Sequence, residues 1–336
     1  MNWRLWIALS VLLAGITCLA AQDAEFTVKV DVNLVTLQAE AFDSAGRPVL
    51  DLTKDDFIVY DNGQPQTLQI FEPIEAPYSV LGLFDCTGTM REHWSFAATA
   101  TTRFVTMLRP QDRVSVAEFG TNLQTLLDWT PRNQWNSNIE IKTDSQVCED
   151  TDFFGSMAVA SSRMQRINGR TGAVVFTDGI QERLRTKTVV VGGVRLQRFL
   201  NSSEDEDFQR ALQTVRAGKT PFYFVAISTD LNPAATDDIL HQTTYYSPLV
   251  LHNMQQVRVR IEQFAEASGG RVVYPQKHSD YIPLFEQIGR ELGSSYSLGY
   301  VPMVADAGAE LHRIEVRILR EGMRVRQSRQ SYGGVR

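Results

Sequence analysis

Histidine and cysteine are scarce in this chain of 336 residues, which contains five histidines and three cysteines. No histidine stands at metal-ligand spacing with a cysteine or with a second histidine, so the sequence does not indicate a zinc site. A glycine-rich phosphate loop is missing after the first strand of the α/β region, and no internal repeat is evident. These absences argue against the common zinc-binding and nucleotide-binding classes.

A surplus of basic residues is absent as well. The chain has 33 lysines and arginines against 39 aspartates and glutamates, a formal net charge of -6. A mildly acidic protein has no electrostatic attraction for phosphate backbones, so nucleic acid is not expected as the main partner. The hydrophobic fraction of 43% is sufficient for a full core, and the length leaves room for about two domains.

Long apolar runs are confined to the beginning of the chain. Residues 1–21 carry Arg4, then a short apolar segment, then small residues suited to cleavage near Ala20 or Ala21. We predict a signal peptide and an exported protein that is periplasmic, displayed on the cell surface or secreted. An uncleaved anchor and a lipidated Cys18 are the alternatives. No later stretch is long and apolar enough for a membrane span.

Strand patterns occupy both ends of the remaining chain. Residues 22–76 show alternating apolar positions, with turns predicted at 43–49 and 61–64. Residues 295–336 return to the same alternation, with a turn near Gly322. Because an isolated hairpin is rarely stable, we expect the two ends to pair in one small β-sandwich.

The middle of the chain, residues 77–294, alternates short apolar runs with helical patterns. The runs YSVLGLFD, DRVSVAEF, GAVVFTD, PFYFVAIS and GRVVYP are typical of strands that are covered on both faces. Regular alternation of strand and helix predicts an α/β domain with a doubly wound, mostly parallel sheet, inserted in the sandwich. The last helix is expected at about 279–292, and segments 181–206 and 229–256 are predicted to be surface loops.

Polar residues stand where two of these strands end. Asp85 ends the first run, Asp178 ends GAVVFTD, and Thr151 lies in the loop EDTDFFG, which opens a helix. In an open α/β sheet, ligands bind outside the carboxyl ends of the strands, so these loops meet at one edge. Alternate positions in DCTGT add the hydroxyls of Thr87 and Thr89. Two carboxylates and three hydroxyls suit a hard cation such as Mg²⁺.

The same residues resemble the metal-ion-dependent adhesion site of von Willebrand factor A domains. The resemblance rests on DCTGTM after an apolar strand, where the usual motif is D-x-S-x-S, on the distant Thr151 and on the FTDG strand end. The flanks VNLVTLQAEAFDSAGRPVLDLTKDDFIVYDNG and YSLGYVP with HRIEVRILREGMRVR resemble exported proteins of this type from acidobacteria. The resemblance covers about residues 28–330 and implies a Rossmann-like domain that holds one Mg²⁺ or Mn²⁺.

The resemblance also implies a role for each residue of the site. Asp85 would act through a water molecule, and Thr87 and Thr89 would bind the ion through their hydroxyls. Thr151 would be the exchangeable ligand of the third loop, and Asp178 a second acid acting through water. Threonine replaces the usual serine at 87 and 89, which adds methyl groups beside the ion. The implied function is non-enzymatic: the ion takes an Asp or Glu carboxylate from a partner protein.

Three other interpretations stay open. The hydroxyls of Thr87 and Thr89 could serve only to cap the following helix. The domain could be a structural component of the cell envelope whose metal site is vestigial. DCTGT also resembles the D-x-D-G-T motif of haloacid-dehalogenase-type phosphatases, in which a second acid is required. Position 87 lacks that acid, and Asp237 and Asp238 do not follow a strand, which argues against a Mg²⁺-dependent phosphatase.

Two cysteines accompany the site loops. Cys86 lies inside the first loop, and Cys148 lies three residues before Thr151. The implied fold brings these loops together, and an exported protein is exposed to oxidising conditions. We predict a disulfide between Cys86 and Cys148; the alternative is a pair of buried free thiols.

Overall fold

The computed structural model describes residues 34–135, 150–181, 185–227, 248–302 and 311–333. The predicted signal peptide lies outside these ranges, as do Cys148, Asp237 and Asp238. No helix within the described ranges has both the length and the apolar character that crossing a membrane requires.

The elements of the described ranges are numbered here in chain order. The strands are β1 (Val35–Phe42), β2 (Phe57–Asp61), β3 (Gln64–Gln66), β4 (Leu68–Glu72), β5 (Tyr78–Asp85), β6 (Arg113–Phe119), β7 (Leu123–Pro131), β8 (Arg170–Thr177), β9 (Thr186–Val191), β10 (Val194–Phe199), β11 (Phe222–Ala226), β12 (Arg271–Val273), β13 (Tyr296–Tyr300), β14 (Leu311–Ile318), β15 (Arg324–Gln327) and β16 (Ser331–Gly333). The α-helices are α1 (Trp94–Met107), α2 (Phe153–Gln165), α3 (Glu206–Arg216), α4 (Pro248–Ser268) and α5 (Tyr281–Ser294). Short 3-10 helices span Lys54–Asp56, Gly88–His93, Arg132–Gln134, Ser202–Glu204 and His278–Asp280.

A six-stranded sheet forms the centre of the α/β region. Its order is β12, β11, β8, β5, β6, β7, and only the edge strand β7 runs antiparallel to its neighbour. Strands β5, β8 and β11 are buried at every position, which is why their sequences are continuous apolar runs rather than alternating ones. The predicted mixed α/β architecture with a mostly parallel central sheet is confirmed.

Helices cover both faces of this sheet. Val80 and Phe84 of β5 share one apolar cluster with α1 and α5, whereas Leu81 and Leu83 share a second cluster with α2, α3 and α4. This division follows from the strand period of two, which sends successive side chains to opposite faces. The predicted last helix is present as α5, two residues later than expected at its start.

Two segments predicted to be loops contain regular structure. Residues 186–199 form the hairpin of β9 and β10, which pair only with each other among the described strands. Its two-residue turn is Gly192 and Gly193, with φ angles of 58° and 85°, as a type I′ turn requires. Residues 248–256 belong to α4, which begins at Pro248, a residue well suited to a first helical turn. The loop predictions were therefore wrong for both of these stretches.

Strands from the two ends of the chain pair with one another. One four-stranded sheet has the order β15, β1, β13, β4 and the other has the order β16, β14, β2, β3. Apolar residues of both sheets form a single cluster that includes Leu37, Val59 and Val316. The predicted turn after β2 is present at Asn62 and Gly63, both with positive φ. It stays a prediction that residues 22–76 and 295–336 form a separate sandwich domain with residues 77–294 inserted in it.

Candidate metal site

Asp85 occupies the centre of the candidate site. It is the last residue of β5, which lies between β8 and β6, and its side chain is fully buried. Oδ1 accepts hydrogen bonds from the Thr87 backbone nitrogen at 3.1 Å and from Thr87 Oγ1 at 2.7 Å. Oδ2 accepts a hydrogen bond from Thr177 Oγ1 at 2.7 Å. The carboxylate is therefore held by its own loop and by the neighbouring strand.

A row of closely spaced oxygen atoms continues from the first loop to the end of β8. Thr87 Oγ1 lies 3.2 Å from Thr89 Oγ1, and Thr89 Oγ1 donates to Asp178 Oδ2 at 2.6 Å. The other oxygen of Asp178 accepts from the Ile180 backbone nitrogen at 3.0 Å. The structure thus brings together four of the five predicted site residues. Asp85 is buried and Thr89 is exposed, so this row of oxygen atoms leads from the core to the surface.

Thr151 is the fifth predicted residue of the site. It is buried in the loop before α2, and that loop is joined to the end of β6 by a hydrogen bond from the Asp152 nitrogen to the Gly120 carbonyl at 2.9 Å. With Gln181 it lines a cavity beside α3. The described contacts do not link Thr151 to Asp85, so its membership of the ligand set stays a prediction.

Helix capping does not account for the two threonines of the first loop. Thr87 is the N-cap residue of the 3-10 helix Gly88–His93, yet its side chain makes no capping hydrogen bond. Its hydroxyl donates to Asp85 instead, and the hydroxyl of Thr89 donates to Asp178. When both hydroxyl hydrogens point to carboxylates, the lone pairs of both oxygens are free for another ligand.

The electrostatics of the site favour a bound cation. Burial and the negative charge of Asp178 together raise the pKa of Asp85 to about 7, against hydrogen bonds from Thr177 and Thr87 that lower it. Two neighbouring carboxylates with hydroxyl oxygens between them are a donor set that fits a hard divalent ion. No group of three or more His, Cys, Asp or Glu suited to a metal occurs among the described residues, so such an ion would depend on hydroxyls and water.

Thr177, which precedes Asp178 in the FTDG stretch, also belongs to the site, although it was not among the predicted residues. Its hydroxyl donates to Asp85 and accepts from the Gly179 nitrogen at 2.8 Å, so it joins the ends of β5 and β8. Trp94 was likewise not predicted; its Nε1 donates to the Asp85 carbonyl at 2.9 Å. A hydroxyl residue directly before the second strand-end acid was the available signal for Thr177.

Cys86 follows Asp85 at the end of β5. Its side chain is buried, and its nitrogen donates to the Phe119 carbonyl at 3.0 Å. Cys148 lies outside the described residues, so a disulfide between Cys86 and Cys148 stays a prediction.

Gly179 directly follows Asp178 and adopts a left-handed backbone conformation, so its replacement gives a testable stability prediction. Its φ is +72°, and a Cβ at this position would lie 2.2 Å from Ile261 Cδ1. We expect Gly179→Ala to lower the free energy of unfolding by about 2–4 kcal/mol, because left-handed strain and overpacking add together.

Gly193→Ala is the matched control for this prediction. Gly193 has φ +85° but no heavy atom within 4 Å of the added Cβ, so only the backbone strain of about 1–2 kcal/mol applies. Urea denaturation of both variants measures the difference. Equal losses of stability would contradict the predicted contact with Ile261.

Comparison with known proteins yields structural likeness only. No protein-family model and no curated protein matches the chain. A von Willebrand factor type A protein from Catenulispora acidiphila is 11% identical with a TM-score of 0.45, covering 80% of this chain and 71% of that one. The pilus adhesin SpaC from Lactobacillus rhamnosus GG is 10% identical with a TM-score of 0.44, covering 77% and 41%. The PilB minor pilin from Streptococcus sanguinis is 10% identical with a TM-score of 0.43, covering 69% and 64%.

The chain therefore spans less than half the length of the adhesin. At these identities and TM-scores, what the similar proteins bind or assemble with is not transferred to this chain.

Proposed function

We propose that this protein is an exported binding module that takes an Asp or Glu carboxylate of a partner protein on a Mg²⁺ or Mn²⁺ ion. The observation that carries this proposal is the row of oxygen atoms from Asp85 through Thr87 and Thr89 to Asp178: each hydroxyl donates to a carboxylate, and the two hydroxyl oxygens lie 3.2 Å apart. It aligns two acids and two hydroxyls between the core and the surface, with donor chemistry that suits a hard cation.

Each residue has a stated part in this proposal. Thr87 and Thr89 would hold the ion through their hydroxyl oxygens, while Asp85 and Asp178 would orient those hydroxyls and bound water. Thr151 would supply the ligand from the third loop. Because only two acids face the ion, it keeps much of its positive charge and attracts a further carboxylate. The bound ion would supply the bridge to that carboxylate.

Binding accounts for the site better than phosphoryl transfer does. A nucleophilic carboxylate must reach its substrate, but the Asp85 side chain has no exposed surface. Position 87 offers a hydroxyl that is bonded to Asp85 rather than an acid that could protonate a leaving group. We therefore propose a non-enzymatic protein with a protein partner in the periplasm, at the cell surface or outside the cell, and not a nucleic-acid partner.

The proposal predicts that partner capture depends on a divalent ion and on the Thr89 hydroxyl. Immobilised full-length protein is incubated with envelope extract in Mg²⁺, in EDTA, and in EDTA followed by excess Mg²⁺. We expect a partner that is retained with Mg²⁺, released by EDTA and recovered when Mg²⁺ is restored. Thr89→Val should lose this partner, because it removes the hydroxyl while keeping the side-chain volume.

Thr99→Val is the matched control for the capture experiment. Thr99 is an exposed threonine on α1 whose hydroxyl donates to the Ser95 carbonyl of its own helix. Its replacement should leave capture unchanged. A set of captured proteins that is the same with EDTA, or the same for Thr89→Val as for the wild type, would rule out metal-bridged binding and favour a structural envelope protein with a vestigial site.

A further inference from the structure

Two histidines and a tyrosine converge where the beginning of α1 meets the beginning of α5. His93 ends the 3-10 helix that carries Thr89, His278 begins the 3-10 helix before α5, and Tyr281 is the first residue of α5. His93 Nδ1 lies 3.2 Å from His278 Nε2 and 2.9 Å from Tyr281 Oη. The two imidazoles are 185 residues apart in the chain, yet two of their nitrogens face each other.

His93 Nδ1 has more close partners than it can bond well. An imidazole nitrogen carries either one hydrogen or one lone pair, so it makes one well-directed hydrogen bond. Here two polar atoms, His278 Nε2 and Tyr281 Oη, compete for that single direction. A cation between the imidazoles would use one lone pair from each ring and would leave the tyrosine hydroxyl free to bond to water.

The spacing of the two nitrogens agrees with that of two ligands of one ion. Zinc–nitrogen bonds of about 2.0–2.1 Å in a tetrahedral site place two ligand nitrogens about 3.3–3.4 Å apart. The observed separation of His93 Nδ1 and His278 Nε2 is 3.2 Å, within the tolerance of about 0.2 Å expected of metal-site distances. Imidazole ligands select Zn²⁺, Ni²⁺ and Cu²⁺ rather than Mg²⁺.

The surroundings hold the rings in place and leave room for water. The Phe96 ring stacks on His278 with 4.2 Å between centroids and 11° between planes. The planes of the His93 and His278 rings meet at 64°. His278 is exposed and His93 is half-buried, so solvent reaches the open side of the pair, whereas Tyr281 is buried beneath it.

We propose that His93 and His278 bind a transition-metal cation of the Zn²⁺ class, with water in the remaining positions and the Tyr281 hydroxyl beside it. Two imidazoles make this a weaker site than a structural zinc site with four protein ligands. It is separate from the proposed Mg²⁺ site, because its donors are nitrogens rather than oxygens. A bound ion would tie the 3-10 helix that carries Thr89 to the beginning of α5.

Calorimetry of the full-length protein tests this site directly. ZnCl₂ is titrated into the wild type in the presence of excess Mg²⁺, so that the proposed oxygen site is already saturated. We expect one Zn²⁺ to bind, with an affinity that falls at least about tenfold in His93→Gln and in His278→Gln. His252→Gln is the control, because it removes an imidazole that contacts the Phe199 carbonyl away from this pair, and it should bind Zn²⁺ like the wild type.

Two results would overturn the proposal: an unchanged Zn²⁺ affinity in the variant that combines His93→Gln with His278→Gln, or an equal loss in His252→Gln. His278 is exposed, so His278→Gln carries the test even if His93→Gln fails to fold. A failure of Asp85 and Asp178 to bind Mg²⁺ would leave the result of this Zn²⁺ test unaffected.

Discussion

We expect Asp85→Ala to abolish Mg²⁺ binding in a calorimetric titration. The Asp85 carboxylate accepts three hydrogen bonds and orients the hydroxyls of Thr87 and Thr177. Its removal takes away one of the two charges at the site and also the acceptor that directs the Thr87 hydroxyl. We expect the wild type to bind one Mg²⁺ or Mn²⁺ and the variant to give no heat above dilution.

The control for this titration is Asp55→Ala, which removes the same charge from an exposed position in the 3-10 helix Lys54–Asp56. It should bind Mg²⁺ like the wild type. Circular dichroism establishes that each variant is folded before titration. Heats that are equal for the wild type and Asp85→Ala would mean that this site holds no ion, and the interpretation as a vestigial site in a structural protein would then be preferred.

The second large effect concerns pH. Without metal, we expect the protein to become less stable as the pH rises from about 4 to about 7. Burial, together with the charge of Asp178, raises the pKa of Asp85 from 3.8 to about 7. In that pH window the folded state keeps a proton that the unfolded state has released, so the free energy of unfolding falls as pH increases. The shift corresponds to roughly 4 kcal/mol of unfolding free energy, all of which is lost above pH 7.

Urea denaturation in EDTA at about pH 5 and about pH 8 measures this dependence. Asp85→Asn should lose less stability than the wild type between these conditions, since its side chain has no proton to release. Asp55→Asn, at an exposed position, should behave like the wild type. Added Mg²⁺ should recover stability at the higher pH, because a bound cation offsets the buried charge. The same pH dependence in Asp85→Asn and the wild type would show that another group is responsible.

The sequence sufficed to propose most of the acids and hydroxyls of the metal site. Asp85 and Asp178 each follow an apolar run, and parallel strands deliver their carboxyl ends to one edge of a sheet. Thr177 was not predicted, because its contact with Asp85 depends on β8 lying next to β5. Strand order in a sheet is not visible in local periodicity, since strands that are neighbours in space are separated by helices and loops in the chain.

The hairpin of β9 and β10 shows a different limit. Its strands pair with each other and not with the central sheet, so they stand outside the alternation of strand and helix from which the fold was predicted. The glycine pair at the turn carried the local signal. Edge strand β7 was not predicted for a related reason. It is partly exposed along its length and lacks the continuous apolar run of the buried strands.

The sequence by itself determined the buried strands of the mostly parallel α/β sheet, the helices that cover it and the presence of strand-end acids with nearby hydroxyls. These are local properties, set by the period of apolar residues and by the residues at which each run ends. Only the tertiary structure decided which distant side chains meet. It placed the Thr89 hydroxyl on Asp178 and turned the nitrogen of His278 towards that of His93. Such contacts arise because helices and strands far apart in the chain pack side by side.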